Sequence, residues 1–551
     1  MHPRPHTLGS TRASLFRSLV GVERRWQLAV ATLVLAGAAL VLVSTAKYGA
    51  GRTPDDYVDV ATSLAEGKGL VFHDGHPLVS QPPLYPMLLA AAGYVTRHEP
   101  AAVANLVNAA LFAVAICLSA ALTRGVAQRD TLYGLLGLCA ILFSRAFADV
   151  YPLVLSECLF IPLLLFYLVS ADRYRRDSGR LSLAAMTLAT ALACVTRYIG
   201  VSLVLAGAVT IMMGPKVRLR TRLTRASAFA ALALAPLGLW VARNYQVAGT
   251  LFGNRYTSGF TLAQHAARSA KAIALWYAPE RGAGLFLLGG SAIILVAIVA
   301  FRAARARIYS SLKYVLSDHL AAVLLLASFT FTLVGAATRD AVVKIDSRLL
   351  SPVYVPATIV LLSLAKRVLS PPRPSSSALI RKTPEALLAL WLCLPVQSAV
   401  RSAADHLRFG PGGFATRAWR ESETVACAKM MSSLPITMYS NDPQALWVLA
   451  GVDANWIPEH SHRTETGCQP GELAGRWPPE GEALLVWFTS TKRPFQFSLT
   501  ELESAAVLVP VQRLSDGSVY RVSAQQSVTH DTAKRLRLTA SPTTQESVEC
   551  S

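Results

Sequence analysis

Charge is scarce in this chain, and negative charge is scarcer still. Only 16% of the 551 residues are Asp, Glu, Lys or Arg, against about 25% in a soluble domain. Hydrophobic residues make up 53%, and the mean hydropathy is +0.40. Those values exclude an ordinary soluble enzyme and indicate a membrane protein. The 33 acidic residues face 53 Lys and Arg, a net charge of +20, which would suit nucleic acid if the cations formed one patch. They gather instead in short loops between apolar runs, the pattern of cytoplasmic membrane loops, so nucleic acid is set aside as a partner. Zinc-site spacing is also missing: the eight cysteines include no CxxC and no Cys/His pattern. Cys117, Cys139, Cys158, Cys194 and Cys393 lie in apolar runs and read as small packing residues. The chain has no internal repeat and no matched pair of broken helices, which argues against most secondary transporters.

What is present is a series of apolar segments, near 26–46, 101–123, 131–147, 153–170, 181–196, 198–213, 226–242, 283–301, 319–336, 352–365 and 385–400. The first follows Arg4, Arg12, Arg17, Arg24 and Arg25. At about 20 residues it is long for a signal-peptide core and right for a span, so it reads as a retained anchor with residues 1–25 in the cytoplasm. The loops 171–180 and 214–225 are both strongly basic, and the chain between them must cross twice. As one helix, 181–213 would reach about 50 Å, far beyond a ~30 Å hydrocarbon core. Two short helices meeting at "TRYIG" meet both demands and put Arg197 and Tyr198 at the outer tip.

About eleven spans result, with 47–100, 243–282, 337–351 and the chain past 402 on the outer face of the plasma (inner) membrane. The expected fold class is an all-α polytopic membrane domain over 26–402, followed by a small α/β extracytoplasmic domain over 403–525. In the latter, "PITMYSNDPQALWVLAG" reads as strand, turn and helix, "EALLVWFTS" as a buried strand and "SLTELESAA" as a helix. "AVLVPVQRLSDGSVYRVS" reads as a hairpin around Asp516-Gly517. The polar tail 526–551 reads as disordered.

Against this background "TPDDYVDVATSLAEGKG", residues 53–69, is unusual. It sets Asp55, Asp56 and Asp59 where the chain leaves the first span. One reading is purely structural: Thr53 as N-cap, Pro54 in the first turn, Asp56 completing a capping box, and an apolar face of Tyr57, Val60, Ala61 and Leu64. The other reading is a catalytic base. The helix is followed by "GLVFHDGHPLVSQPPLYPMLLAA", a loop that dives through Pro82 and Pro83 into another apolar helix.

These residues resemble the GT-C superfamily of membrane glycosyltransferases. The similarity is to the family 39 group of protein mannosyltransferases, lipid A aminoarabinose transferases and RgtA/B/C/D-like enzymes. It rests on an acid before Tyr57, on Ala61, Leu64, Gly67, Gly69, Gly75 and Pro77, and on Pro82-Pro83-x-Tyr85-Pro86. "LSECLFIPLLL" from 155, "TRYIG" from 196, "WVARNYQVAGTLFGNR" from 240, "IDSRLLSPVYVP" from 345 and "YSNDPQALWVLAG" extend it along most of the membrane region.

The resemblance implies transfer of a sugar from a polyprenyl-phosphate-linked donor, the co-substrate, to a protein, lipid or polysaccharide acceptor on the outer face. It also implies that an aspartate of the first outer loop activates the acceptor. Where the family often has that acid this chain has Thr53, so the role falls on Asp55 or Asp56. Asp59 lies beyond the tyrosine and reads as a solvated face residue. Inverting transfer needs a base at the acceptor hydroxyl and positive charge at the departing phosphate, and arginine forks suit the phosphate. The leaving group is good enough that no metal or other cofactor is required.

Arg348, Arg197 and Arg243, with Tyr198, are the candidate phosphate partners, in that order for the arginines; the alternative for each arginine is a snorkelling anchor. Asp346 is read as the partner of Arg348, with Lys344 a weaker candidate. Glu157, a carboxylate entering an apolar helix, must be paired or face water. Tyr57 and His73 complete the supporting set. Cys427 and Cys468 share the outer compartment, where a disulfide is one of two options. A transporter or flippase, and a non-catalytic scaffold that binds glycans, are the rival readings.

Overall fold

The computed structural model describes residues 8–53, 55–127, 130–214, 217–253, 255, 260–278, 302–340, 343, 345–369, 382–459, 473, 476–478, 481–493 and 496–524. The span expected at 283–301, Lys344, Cys468 and the tail 526–551 lie outside these residues. The proposed Cys427–Cys468 pairing therefore does too. Cys427 itself is buried, with its Sγ 3.3 Å from Oε1 of Gln512.

Seven described helices are long and apolar enough to cross a bilayer, against about eleven expected. They are Glu23–Thr45, Pro100–Arg124, Thr131–Ala148, Leu219–Ala248, Leu320–Ala337, Ser347–Val368 and Thr383–Phe409. The expected span at 153–170 is the helix Glu157–Asp177, whose last turns carry Arg173, Arg175 and Arg176. The segment 181–213 forms the hairpin foreseen: helix Arg180–Cys194, a 3-10 turn Tyr198–Gly200, and helix Val201–Met212. These helices of 15 and 12 residues reach only about 18–23 Å. Large apolar side chains such as Leu35, Leu239, Phe331 and Leu390 stand exposed on the spans, as lipid-facing positions would. The inward faces share one core around Phe160, Ile161, Leu164 and Leu165 of the helix Glu157–Asp177.

Several further described helices lie outside that set. Tyr57–Ala65 buries Tyr57, Val58, Val60 and Ala61 against Leu84–Thr96, the helix entered through Pro83. Leu262–Tyr277 is an amphipathic helix with a Thr261/Gln264 capping box; it lies within 243–282, which the sequence places on the outer face without assigning it a helix.

The last long helix runs on to Phe409, past the change in composition near 402. Beyond it a five-stranded sheet has the order β2-β1-β3-β5-β4. Its strands are β1 Thr437–Ser440, β2 Asn455–Trp456, β3 Ala483–Phe488, β4 Val507–Arg513 and β5 Gly517–Ser523. β1 runs parallel to β2 and β3, while β5 is antiparallel to β3 and β4. Helices Glu423–Met431 and Pro443–Ala450 cover one face through Cys427, Ala428 and Leu446; Leu499–Ala505 covers the other through Leu502. The hairpin at Asp516-Gly517, the buried strand and the helix after Asp442 all stand where the sequence placed them; β2 is additional.

The short hairpin depends on Gly200. A Cβ there would sit 2.7 Å from the carbonyl of Ala193 and from Cα of Cys194, backbone atoms that cannot rotate away. Gly200→Ala is expected to cost about 1–3 kcal/mol by forcing the helices apart. It should appear as a lower midpoint in detergent-solubilised thermal unfolding, whereas Gly238→Ala, inside a helix with open space around it, should not lower the midpoint.

Candidate active site

The site is organised by Glu157. Its carboxylate is 1% exposed at the first position of a helix, where the macrodipole favours an anion. That alone does not offset burial, and the structure brings two guanidinium groups to it. Arg197, at the hairpin tip, places Nη1 at 2.5 Å from Oε2 of Glu157, and Arg348 places Nε at 3.4 Å from Oε1. Neither carboxylate oxygen receives a well-aligned hydrogen bond. The contact is a meeting of charges rather than a locked fork, so both arginines can also serve another anion.

Arg348 also reaches the first loop, with Nη1 at 3.2 Å from Oδ2 of Asp55. The other oxygen of Asp55 accepts from Nε2 of Gln81 at 2.9 Å. Asp55 and Arg348 are each about a third exposed, unlike Glu157, so the pair stands at the open edge of a neutral cluster of two acids and two arginines. Ser156, at the N-cap position, does not cap its helix. Its Oγ accepts from the Tyr57 hydroxyl at 2.9 Å and from Nη1 of Arg197 at 2.8 Å. Tyr57 thereby ties the acidic helix to the Ser156–Glu157 corner.

The three aspartates have three different jobs. Asp56 is buried, caps Tyr57–Ala65 by accepting from the Asp59 amide, and is gripped by Nε and Nη2 of Arg52 at 3.0 and 2.7 Å. The N-cap is thus Asp56, not Thr53. It sits at φ 28°, which strains a residue that is not glycine, and burial raises its pKa despite Arg52.

Asp59 is a correction to the sequence reading: it is buried, not solvated. One oxygen accepts from the amide and Nδ1 of His73 at 2.9 and 2.7 Å; the other accepts from Nε1 of Trp447 at 3.3 Å. The rings of His73 and Trp447 stack at 4.0 Å. His73 and Asp59 therefore form a latch between the acidic helix and Pro443–Ala450 of the sheet domain, not part of the Glu157 cluster. Burial alone would raise Asp59, but the bonds from His73 hold it below its ordinary 3.8. Burial would likewise lower His73, and Asp59, with Asp74 and Asp453, lifts it above 6.5.

The remaining candidates converge on the strap 78–81. Arg243 donates to the carbonyl of Leu78 at 2.6 Å and Tyr198 to that of Val79 at 2.9 Å. Asn244 also donates to Val79, and Arg255 donates to the carbonyl of Ser80 at 3.0 Å. These side chains clamp the strap that presents Gln81 to Asp55; among the described residues none of them bonds to Asp55, Glu157, Arg197 or Arg348. Asp346 is not in ion-pair contact with Arg348; it caps the short helix Ser347–Leu350 that carries Arg348. Gln81 and Ser156 were missed in the sequence. The available signals were a polar side chain immediately before Pro82-Pro83, and a hydroxyl beside the only acid of "LSECL". Among the described residues, no group of three or more His, Cys, Asp and Glu could hold a metal ion.

No protein-family model matches this chain, and no curated protein does. Among solved structures it is similar to ArnT from Cupriavidus metallidurans. In the apo state the match has 14% identity and TM-score 0.52, covering 89% of this chain and 97% of that one. ArnT bound to undecaprenyl phosphate matches with 14% identity, TM-score 0.51 and the same coverage. The chain thus shares the fold of ArnT.

Two outcomes follow for the acidic helix. Asp56→Ala removes a cap and strands Arg52, and should lower stability by about 3 kcal/mol or more; Asp55→Ala should not, as read by thermal unfolding. The latch contributes fully below the ordinary 6.5 of His73 and is lost as pH rises through that group's raised folded value. The Asp59 contribution is present above 3.8 and lost as pH falls through its lowered value. Corrected for the intrinsic base-catalysed rate, hydrogen-exchange protection of Pro443–Ala450 should therefore be greatest between those limits and fall on either side; in His73→Gln the alkaline fall should disappear.

Proposed function

We propose that this chain is an integral membrane glycosyltransferase that moves a sugar from a polyprenyl-phosphate donor to an acceptor hydroxyl, with Asp55 as the base. The observation that carries the reading is the Arg348–Asp55 pair beside buried Glu157. It sets a carboxylate and a guanidinium together at the accessible edge of a site on a fold shared with a structure bound to undecaprenyl phosphate. Asp56 is the weaker choice because both its oxygens are committed to Arg52 and the helix cap.

The chemistry then runs as follows. The donor phosphate approaches Arg348 and competes with Asp55 for the guanidinium. Asp55, left with Gln81, takes the proton of the acceptor hydroxyl as that oxygen attacks the anomeric carbon. The bond from that carbon to the phosphate oxygen breaks with inversion, and the polyprenyl phosphate leaves with its new charge against Arg348, backed by Arg197. Oε1 of Gln81, buried without a partner, is placed to accept from a donor on the acceptor. The first loop and sheet domain lie on the extracytoplasmic side, and residues 1–25 in the cytoplasm.

The test incubates purified protein with a panel of polyprenyl-phosphate sugars and follows consumption of each. One donor should be consumed, and Asp55→Asn should slow it by about 10²–10⁴-fold, the usual contribution of a general base. Full activity in Asp55→Asn would remove the base assignment. Arg348→Ala should raise the donor KM more than Arg243→Ala, which loosens the strap; equal effects would undo that ranking.

A further inference from the structure

A cavity of about 410 Å³ lies beside the acidic helix; Arg52 lines it, and none of Asp55, Glu157, Arg197 and Arg348 does. Its lining brings together Tyr48 and Arg52 after the first long helix, Ala101 at the start of Pro100–Arg124, and Phe414, Trp419 and Arg420 beyond the last long helix; the start of the sheet domain is its roof. Tyr48, Arg52, Trp419 and Arg420 supply the polar atoms of the lining; Val58, Val154, Phe414 and Val448 are among its apolar residues. The volume suits a small ligand or headgroup.

The lining says which chemistry fits. It contains no Asp, Glu, Asn, Gln, Ser or Thr. Among its side chains the guanidiniums and the indole N–H are donors only, and the Tyr48 hydroxyl, which donates to the carbonyl of Arg408 at 3.0 Å, is the one side-chain acceptor, so the lining favours a ligand that mainly accepts, as a phosphate does.

Positive charge here is not fully balanced. Arg52 is paired with Asp56, but neither Lys47 nor Arg420 has a carboxylate at ion-pair distance among the described residues. Both lie over the Tyr48 ring, at 5.0 and 6.0 Å, and Arg420 donates to the Tyr48 carbonyl at 2.7 Å. The roof is drawn down on this corner: the Phe414 amide donates to the Arg52 carbonyl at 2.8 Å. Gly413 is required for that approach, at φ 55° with its Cβ position only 2.0 Å from the same oxygen.

We infer that this cavity binds the phosphate headgroup of an anionic glycerophospholipid, separately from the reacting cleft. Arg420 of the lining holds the phosphate, with Lys47 adding charge from beyond the lining, over the same Tyr48 ring; Tyr48 and Trp419 sit at headgroup depth as interfacial aromatics do, and the apolar wall takes the glycerol and the first acyl carbons. Inorganic phosphate shares the charge but has no use for that wall. The inference needs only a bilayer and does not rest on glycosyl transfer.

The test uses native mass spectrometry of the full-length protein in detergent, titrated with dioleoyl-phosphatidylglycerol. Wild type should retain one lipid that Lys47→Gln/Arg420→Gln releases at least tenfold more readily, with Arg420→Lys close to wild type. Ala101→Trp, which fills the cavity without altering charge, should release it as well, and covers the case in which the double variant does not fold. Asp55→Asn should keep the lipid. Equal retention in the double variant and in Ala101→Trp would overturn the inference. So would loss in Asp55→Asn, which would place the lipid in the reacting cleft. Displacement by inorganic phosphate at the concentration at which glycerol phosphate or lipid acts would also overturn it, leaving an anion site only.

Discussion

A single buried carboxylate orders the boundary end of this molecule. Glu157 begins a helix whose first turns are wholly enclosed, so its charge must be answered inside the protein. Isolated, it would cost several kcal/mol. The answering arginines come from distant parts of the chain: Arg197 because a hairpin too short to cross simply turns at that depth, and Arg348 because Asp346 caps a one-turn helix that aims it inward. Arg348 then holds Asp55, and with it the first loop. Removing Glu157 or either arginine unbalances the rest.

The strap 78–81 gives the loop its rigidity. Its backbone carbonyls lack partners of their own in any helix or sheet, and buried carbonyls need them. Arg243, Tyr198, Asn244 and Arg255 provide the donors, so one stretch, "WVARNYQVAGTLFGNR" with the hairpin tip, holds another in place. A second fastening, His73 and Trp447 on Asp59, joins the same platform to the sheet domain. Orientation of Gln81 and Asp55 is thus set from two sides.

Much of this was legible in the sequence. Apolar runs located the long helices, charge in the two basic loops required the hairpin, and alternation and turn residues located β1, β3, β4 and β5. Partner choice was not legible. Asp55, Asp56 and Asp59 are alike in type and nearly adjacent, yet one faces Arg348, one caps a helix and one fastens a domain, because each points to a different neighbour brought by tertiary packing. For the same reason Asp346 looked like an ion-pair partner and is a cap, and Arg243 looked like a phosphate ligand and holds a carbonyl. Gln81 and Ser156 carry no charge, and their sequence neighbours, Pro82-Pro83 and Glu157, mark them as notable without naming Asp55 and Arg197 as their partners.

The most direct measurement is a structure of the full-length protein determined with undecaprenyl phosphate. The expected result is a phosphate within hydrogen-bonding reach of Arg348, the prenyl chain leaving toward lipid, and Asp55 no longer bonded to that guanidinium. A phosphate bound elsewhere, with the Arg348–Asp55 contact intact, would contradict it.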